Sequence, residues 1–339
     1  MLSTFSPPLR LNPIAFLRNW DSASTRNDIV PAIIVACASA IIFNCLGLLW
    51  FVANVELRPA PLSFFALVCL AVVTLGYCTI RFSPMITTAL GFILTVQIGR
   101  VFGAQSGYLV YSAGAHYPLI DAQLYAVDQW LGFDWLTMLR WFGEHPTLVQ
   151  LTRIAYDQAA IQGILALPLL ILARQNDRLM KMLTATFVAL IVVHIISIFF
   201  PAVGAYGYLG LTPADHPHIL LSSEGHTAAY VMQLRTGTLF DLNSVPVMGL
   251  ITFPSFHTVM AVQAVWAFWH IHILRWPAVV FNLLVWVGTL FHGSHHLIDT
   301  LAGAVVAVGS IYAACKLTEF LGRKFSSASP LSDQSPRST

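Results

Sequence analysis

The sequence predicts an all-α protein built as a polytopic bundle of about eight transmembrane helices. Of its 339 residues, 57% are hydrophobic and 9% are charged, whereas soluble domains carry about 25% charged residues. The apolar residues are gathered into runs of about 20, the length that a membrane helix needs. A formal net charge of +2 is too small to predict a nucleic-acid partner. The five cysteines lie mostly inside apolar runs, without the spacing of a metal site or a disulfide framework.

Eight apolar runs define the predicted helices. Each is close to the length that crosses the hydrocarbon core of a bilayer. They cover residues 30–54, 62–80, 84–111, 148–173, 179–200, 256–274, 277–293 and 297–321. We group the first two as extra N-terminal helices within residues 29–80, and the other six as a membrane core within residues 81–324.

The two ends of the chain are polar. Residues 1–28 carry three arginines and predict a cytoplasmic arm. Residues 325–339 are rich in serine and proline and predict a disordered tail.

Residues 112–147 are too polar to span a membrane, yet their apolar residues recur at helical spacing. This pattern predicts an amphipathic segment at the outer interface, with Trp130, Trp135 and Trp141 at headgroup level. A packed helix outside the membrane fits the pattern equally well. Asp121 and Asp128 are interpreted as surface residues, with contact to a lipid headgroup as the alternative.

Residues 201–252 form a long connection that is rich in glycine and contains Pro213, Pro217 and Pro246. This composition argues against regular structure. Loops of such length inside a compact domain are usually functional. We therefore expect this outer loop to cover the active site and to contact the substrate headgroup.

The arginines and lysines orient the bundle. Eight spans put both termini on one side, and most basic residues fall on that side, including Lys181, Lys316 and Lys324. By the positive-inside rule it is the cytoplasmic side. His257 and the polar turn at 292–299 then lie on the extracytoplasmic side, and a bacterial inner membrane is the simplest location.

Two short polar segments, residues 253–258 and 292–299, stand where apolar runs begin. Each is expected at a helix N-terminus, where free N–H groups and the positive end of the helix dipole favour an anion. His295 and Asp299 are four residues apart and share one helix face. A carboxylate there can hold one ring N–H and leave the other nitrogen as a nucleophile, while His257 supplies an acid and base. The pattern indicates phosphoryl transfer.

These segments carry a family resemblance. Residues 254–257, Pro-Ser-Phe-His, resemble the second signature, Pro-Ser-Gly-His, of the type 2 phosphatidic acid phosphatase superfamily. Residues 295–303 resemble the third signature, which ends in His-x-x-x-Asp followed by small residues. The phenylalanine at 256 is similar to the branch that contains the inositol phosphorylceramide synthases.

The resemblance implies a six-helix phosphatase-like core and a phosphohistidine intermediate. By motif position, His295 is the nucleophile, Asp299 orients it, and His257 is the acid and base. Neither a metal nor another cofactor is implied. The donor would be a phospholipid or another lipid phosphate within the bilayer.

The chain departs from the superfamily pattern where phosphate is usually clamped. The third signature usually opens with Ser-Arg, where this chain has Gly288 and Thr289, and no counterpart of the basic first signature is found. The synthase-like branch also lacks these arginines. Arginine suits a bidentate phosphate contact. The candidate substrate-binding residues are Arg100, Arg153, Arg235, Ser255 and His296.

Each candidate also has a plainer interpretation. Arg153 and Asp157 are four residues apart, so they can form an ion pair that only holds helices together. Ser255 suits a helix N-cap. His296 and His292 face other ways on a helix than His295, so each is either structural or a substrate contact. A metal site made of the 292–299 histidines and Asp299 would lack an obvious distant ligand.

The predicted function is transfer of a phospho-headgroup to a lipid or polyol hydroxyl, for example that of a ceramide. A lipid phosphate phosphatase, with water as acceptor, is the alternative. A transporter, a channel and a non-catalytic lipid-binding protein are alternatives of other classes. Intramembrane Arg, Asp and His residues gather in the outer half of the predicted helices, which disfavours a path through the membrane. The oligomeric state stays open.

Overall fold

The computed structural model describes residues 25–50, 64–103, 106–216, 219, 226–239 and 249–327. Of these residues 79% are helical, and none lies in a strand. The helices are α1 (Arg26–Trp50), α2 (Phe64–Thr79), α3 (Pro84–Gly103), α4 (Ser106–Ala113), α5 (Asp121–Trp130), α6 (Trp135–Gly143), α7 (Pro146–Asp157), α8 (Ile161–Leu172), α9 (Asn176–Phe199), α10 (Ala205–Leu209), α11 (Thr227–Thr236), α12 (Phe256–Phe268), α13 (His272–Phe291) and α14 (Leu297–Ser327). The prediction of an all-α protein is confirmed.

Among the described residues, four helices are long and apolar enough to cross a membrane: α1, α9, α13 and α14. The pair α7 and α8 adds a fifth span if the two helices, bent by 66°, are counted as one. The other predicted spans coincide with shorter apolar helices at α2, α3 and α12. The protein is therefore a multi-pass membrane protein, although fewer helices meet the length criterion than the eight runs predicted.

Three predicted helix boundaries are wrong. The run 84–111 is divided between α3 and α4. The run 148–173 is divided between α7 and α8. The apolar pattern predicted one continuous helix because no glycine or proline marks the bend at 158–160. The run 256–274 ends at Phe268, and α13 begins at His272 rather than at 277, since two polar histidines interrupt the apolar pattern there.

The segment 112–147 contains α5 and α6, and its aromatic residues differ from the prediction. Trp130 is 84% exposed, whereas Trp135 is wholly buried inside the protein and cannot contact a lipid headgroup. Asp121 and Asp128 are also buried rather than surface residues. The reason is tertiary: backbone N–H groups of distant segments donate to both carboxylates.

The outer connection 201–252 is more regular than predicted. Its described parts contain α10, a 3-10 turn at Pro213–Asp215, and α11. Gly210 and Gly237 adopt positive φ values of 65° and 69° directly after α10 and α11. Glycine favours this left-handed conformation at helix C-termini. These glycines therefore end short helices instead of preventing them.

The ends of the chain are only partly described. The predicted arm 1–28 lies outside the described residues up to residue 24, and α1 already begins at Arg26. The predicted tail 325–339 lies outside them from residue 328, and α14 continues to Ser327.

Close packing brings the N-termini of α12 and α14 together. A Cβ atom on Gly303 would lie 2.3 Å from the carbonyl oxygen of Ser255, so only glycine permits this approach. The backbone N–H of Ser255 donates to the carbonyl of Asp299 at 3.0 Å. Gly288 plays the same part between α13 and α7, because its Cβ would lie 2.7 Å from the carbonyl oxygen of Thr152. The two polar segments therefore meet at one place.

Candidate active site

The N-terminus of α12 is capped by Ser255, as its sequence predicts. Its backbone is extended, with φ −68° and ψ 115°, and its Oγ accepts the N–H of Thr258 at 3.4 Å. The same Oγ lies 3.4 Å from Nε2 of His295. The cap thus places a hydroxyl group beside the predicted nucleophile.

His295 and Asp299 form a buried pair at the start of α14. Nδ1 of His295 lies 3.3 Å from Oδ2 of Asp299, and the two side chains are 4% and 0% exposed. The same oxygen accepts the backbone N–H of His296 at 2.9 Å. Because a carboxylate only accepts, the proton of a neutral His295 ring resides on Nδ1. Nε2 then keeps its lone pair on the side of Ser255.

A cavity of about 190 Å³ adjoins this pair. His257 and His295 both line it, as do Tyr156 and Thr252. The ring of Tyr156 stacks on that of His257, with centroids 4.3 Å apart and planes at 20°. The cavity therefore offers one space in which two histidines can reach the same bound group.

His194 and Ser106 form a second polar pair in the cavity lining. Nδ1 of His194 lies 2.7 Å from the carbonyl oxygen of Leu190, and Nε2 lies 2.7 Å from Oγ of Ser106. The carbonyl can only accept, so Nδ1 of a neutral ring carries the proton and Ser106 donates to Nε2. Sequence reasoning placed His194 at this depth in the membrane but did not find Ser106.

The predicted phosphate-binding arginines have other partners in this structure. Nε of Arg153 pairs with Oδ2 of Asp157 at 2.6 Å. Arg235, on α11, donates to the carbonyls of Gly114 at 3.0 Å and Tyr117 at 2.5 Å. Neither arginine is among the residues that line the cavity. Arg100 belongs to α3, and its side chain lies outside the described part of the chain.

His296 points away from the cavity and into a buried acidic pair. Its Nε2 lies 3.5 Å from Oδ1 of Asp121, and its Nδ1 lies 3.5 Å from Oδ2 of Asp128. Burial lowers the pKa of His296, but the two carboxylates raise it by more, to about 9. Sequence reasoning missed this arrangement. The available signal was the spacing of the two aspartates, which are seven residues apart and share one helix face.

The rest of the histidine-rich turn is held by contacts with other segments. His292 is wholly buried, and its Nε2 lies 3.2 Å from both Oγ1 of Thr152 and the carbonyl oxygen of Val149. Nε1 of Trp135 donates to the carbonyl of His295 at 3.0 Å. The backbone N–H of Tyr206 donates to Oγ of Ser294 at 2.9 Å. The neighbouring histidines thus point to different partners.

Two comparisons with known proteins gave no match, neither among curated proteins nor among solved structures. The sequence profile of the PAP2 superfamily matches residues 122–313. This range covers more than half of the chain and includes His257, His295 and Asp299. The chain therefore belongs to the PAP2 superfamily.

Proposed function

We propose that the protein is an integral-membrane lipid phosphotransferase that works through a phosphohistidine on His295. Membership of the PAP2 superfamily indicates phosphatase or phosphotransferase chemistry in a membrane-embedded protein. The observation that carries the proposal is the His295–Asp299 pair at 3.3 Å, on the wall of a cavity shared with His257. This is the arrangement of an activated nucleophile with an orienting group.

In the first step, the Nε2 lone pair of His295 attacks phosphorus and forms the N–P bond. The bond between phosphorus and the leaving oxygen breaks, and protonated His257 gives its proton to that oxygen. Asp299 holds Nδ1–H and stabilises the positive charge that develops on the ring.

In the second step, neutral His257 takes the proton of the acceptor hydroxyl. The acceptor oxygen attacks phosphorus, the N–P bond breaks, and its electron pair returns to Nε2 of His295. The helix dipoles at the N-termini of α12 and α14 favour the negative charge of the phosphoryl group, whereas the first N–H groups of α14, those of Leu297 and Ile298, are already donated to Asp128.

The proposed substrate contacts divide into two groups. Ser255 lies beside Nε2 of His295 and can donate to a phosphoryl oxygen without moving far. Arg153 and Arg235 would contact phosphate only by exchanging their present partners. Arg100 remains a proposed contact on the basis of its sequence position, whereas the ring of His296 is engaged with two aspartates.

We place this chemistry at the extracytoplasmic face of a bundle with eight spans, of which the last six form the catalytic core. Both termini are then cytoplasmic, and the location is a bacterial inner membrane. Support comes from the distribution of Arg and Lys along the chain. A site at a membrane surface suits a lipid phosphate that arrives from the bilayer.

A phosphatase is the second candidate, because water can replace the alcohol in the second step without any change to the residues used. Phenylalanine at position 256, which is similar to the synthase-containing branch, favours transfer to an alcohol. The acceptor therefore decides between the two activities.

The deciding experiment supplies the purified protein in detergent with phosphatidic acid and, separately, with phosphatidylinositol plus ceramide. We expect a new phospholipid to form with little free phosphate. Release of free phosphate as the main product would establish the phosphatase instead. His295→Ala should abolish both products, and His145→Ala, an exposed histidine outside the site, should abolish neither. Turnover that survives His295→Ala would refute the phosphohistidine.

A further inference from the structure

We propose that His296 is a buried cation whose ring is held between Asp121 and Asp128. In this way it positions the turn at residues 292–296, the catalytic turn, which carries the neighbouring His295. The catalytic part of this inference rests on the proposed function. The charge and the structural link are independent of it.

The groups around the ring favour its cationic form. Each ring nitrogen of His296 lies 3.5 Å from an aspartate oxygen, on opposite sides of the ring. A neutral imidazole has one N–H, so it would turn a lone pair toward one of the carboxylates. Only the imidazolium form presents an N–H and a positive charge to both carboxylates, at ion-pair distances rather than as hydrogen bonds. All three side chains are at most 3% exposed, so water does not screen the interaction.

Each of the two carboxylates accepts hydrogen bonds from the backbone. Asp121 accepts the N–H groups of Val203 and Gly204 at 2.9 to 3.1 Å. Asp128 accepts those of Leu297 and Ile298, both at 2.9 Å. The ring of His296 therefore faces two carboxylates that backbone N–H groups hold in place.

The bridge joins three distant parts of the chain at the catalytic turn. Asp121 and Asp128 belong to α5, whereas the N–H groups that they accept belong to the outer connection at 203–204 and to the first turn of α14. His296 itself donates its backbone N–H to Oδ2 of Asp299, the oxygen that faces His295. A displaced His296 would therefore move both members of the catalytic pair.

Other titratable groups near the ring are few among the described residues. Asp299 lies on the following helix and is a further negative charge. The rings of Tyr125 and Tyr208 approach edge-on, with centroids 6.4 and 6.2 Å from that of His296. The ring of His295 faces Asp299. The surroundings are therefore predominantly acidic, in agreement with a raised pKa of about 9 for His296.

The first test measures stability and needs no activity. A histidine whose pKa rises on folding from about 6.5 to about 9 stabilises the fold fully below pH 6.5, and the contribution is lost as the pH rises through 9. We expect the melting temperature of the wild type to fall between pH 6.5 and 9.5. His296→Gln should melt lower at pH 6.5 and show a smaller fall. Equal slopes in the two proteins would refute a cationic His296.

The second test measures catalysis in His296→Gln, Asp121→Asn and Asp128→Asn. Misplacement of the nucleophile should lower kcat by about tenfold to hundredfold with little change in KM. Thermal unfolding at the assay pH shows whether each variant is folded, so a lower kcat with an unchanged KM in folded protein reports misplacement of the nucleophile. A role confined to folding would leave the kcat of the folded protein at the wild-type value. Asp134→Asn, an exposed helix cap on the neighbouring segment, and His145→Gln are the matched controls.

The outcomes separate the two proposals. If the wild type gives no product that depends on His295, the proposed function fails, while the melting curves still decide the charge of His296. Wild-type kcat and KM in all three folded variants would overturn the positioning role. If these variants do not fold, nuclear magnetic resonance of wild-type protein with labelled histidine decides whether His296 is cationic. One histidine should titrate near pH 9, and titration of every histidine below about pH 7.5 would refute the inference.

Discussion

At the scale of single residues, one oxygen of Asp299 serves two donors. Its Oδ2 accepts from Nδ1 of His295 at 3.3 Å and from the backbone N–H of His296 at 2.9 Å. The side chain is wholly buried, so the pair is protected from water. The orientation of the proposed nucleophile depends on this carboxylate more than on any other contact of the ring.

Asp299→Asn tests that dependence with almost no change in side-chain volume. The amide oxygen can still accept the N–H of His296, but the negative charge that stabilises the developing imidazolium is lost. We expect kcat to fall by about a thousandfold or more, as for the orienting aspartate of other histidine-based sites. Trapped phosphoenzyme should fall in parallel. A kcat within threefold of the wild type would contradict the assignment of Asp299.

At the scale of helices, small residues determine how closely the helices around the site pack against each other. Gly303 lets α14 approach the carbonyl of Ser255, and Gly288 lets α13 approach α7. Each glycine faces backbone atoms, which have little freedom to retreat. The approach of α12 and α14 therefore sets the position of His295 against the cap of α12.

Gly303→Ala should separate the two helix N-termini, because the new Cβ would lie 2.3 Å from the carbonyl oxygen of Ser255. We expect a loss of stability of about 1–3 kcal/mol, the usual result of overpacking, together with a fall in kcat. Thermal unfolding and steady-state kinetics measure the two effects.

Gly309→Ala is the matched control on the same helix. Its Cβ would meet nothing within 4 Å, and alanine is favoured over glycine in a helix by about 1 kcal/mol. This variant should be as stable as the wild type or more so. Equal effects of the two substitutions would show that helix propensity, rather than the close approach at Gly303, determines the change in stability.

At the scale of the whole molecule, the arrangement in the membrane follows from hydropathy and the distribution of charge. Four or five helices meet the length criterion for a span, and shorter apolar helices coincide with the other predicted runs. With eight spans the two termini share one side and the histidines lie on the other.

Reporter fusions test this arrangement. Green fluorescent protein at the C-terminus should fluoresce, because it folds in the cytoplasm, and alkaline phosphatase at the same place should be inactive. Alkaline phosphatase inserted near residue 215, in the outer connection, should be active. The reverse pattern would place the catalytic turn on the cytoplasmic side and overturn the proposed orientation.

The sequence predicted those features that depend on residues close together in the chain. The helical character of the eight runs, the cap by Ser255 and the spacing of His295 and Asp299 are all local. The local patterns were least successful where they depended on composition alone. Glycines in the outer connection suggested irregular structure, yet Gly210 and Gly237 end short helices. Trp135 suggested an interfacial residue, yet it is buried against the catalytic turn.

The sequence by itself therefore determined the membrane class and the helical architecture, and it supplied the residues that we propose for phosphoryl transfer, because each of these depends on the spacing of a few neighbouring residues. Only the tertiary structure decided what surrounds them. Asp128 accepts the backbone N–H of Leu297, at a helix start 169 residues away, and Asp121 accepts N–H groups of the outer connection. Such partners depend on which helix faces pack together, and periodicity along one helix does not specify its neighbours.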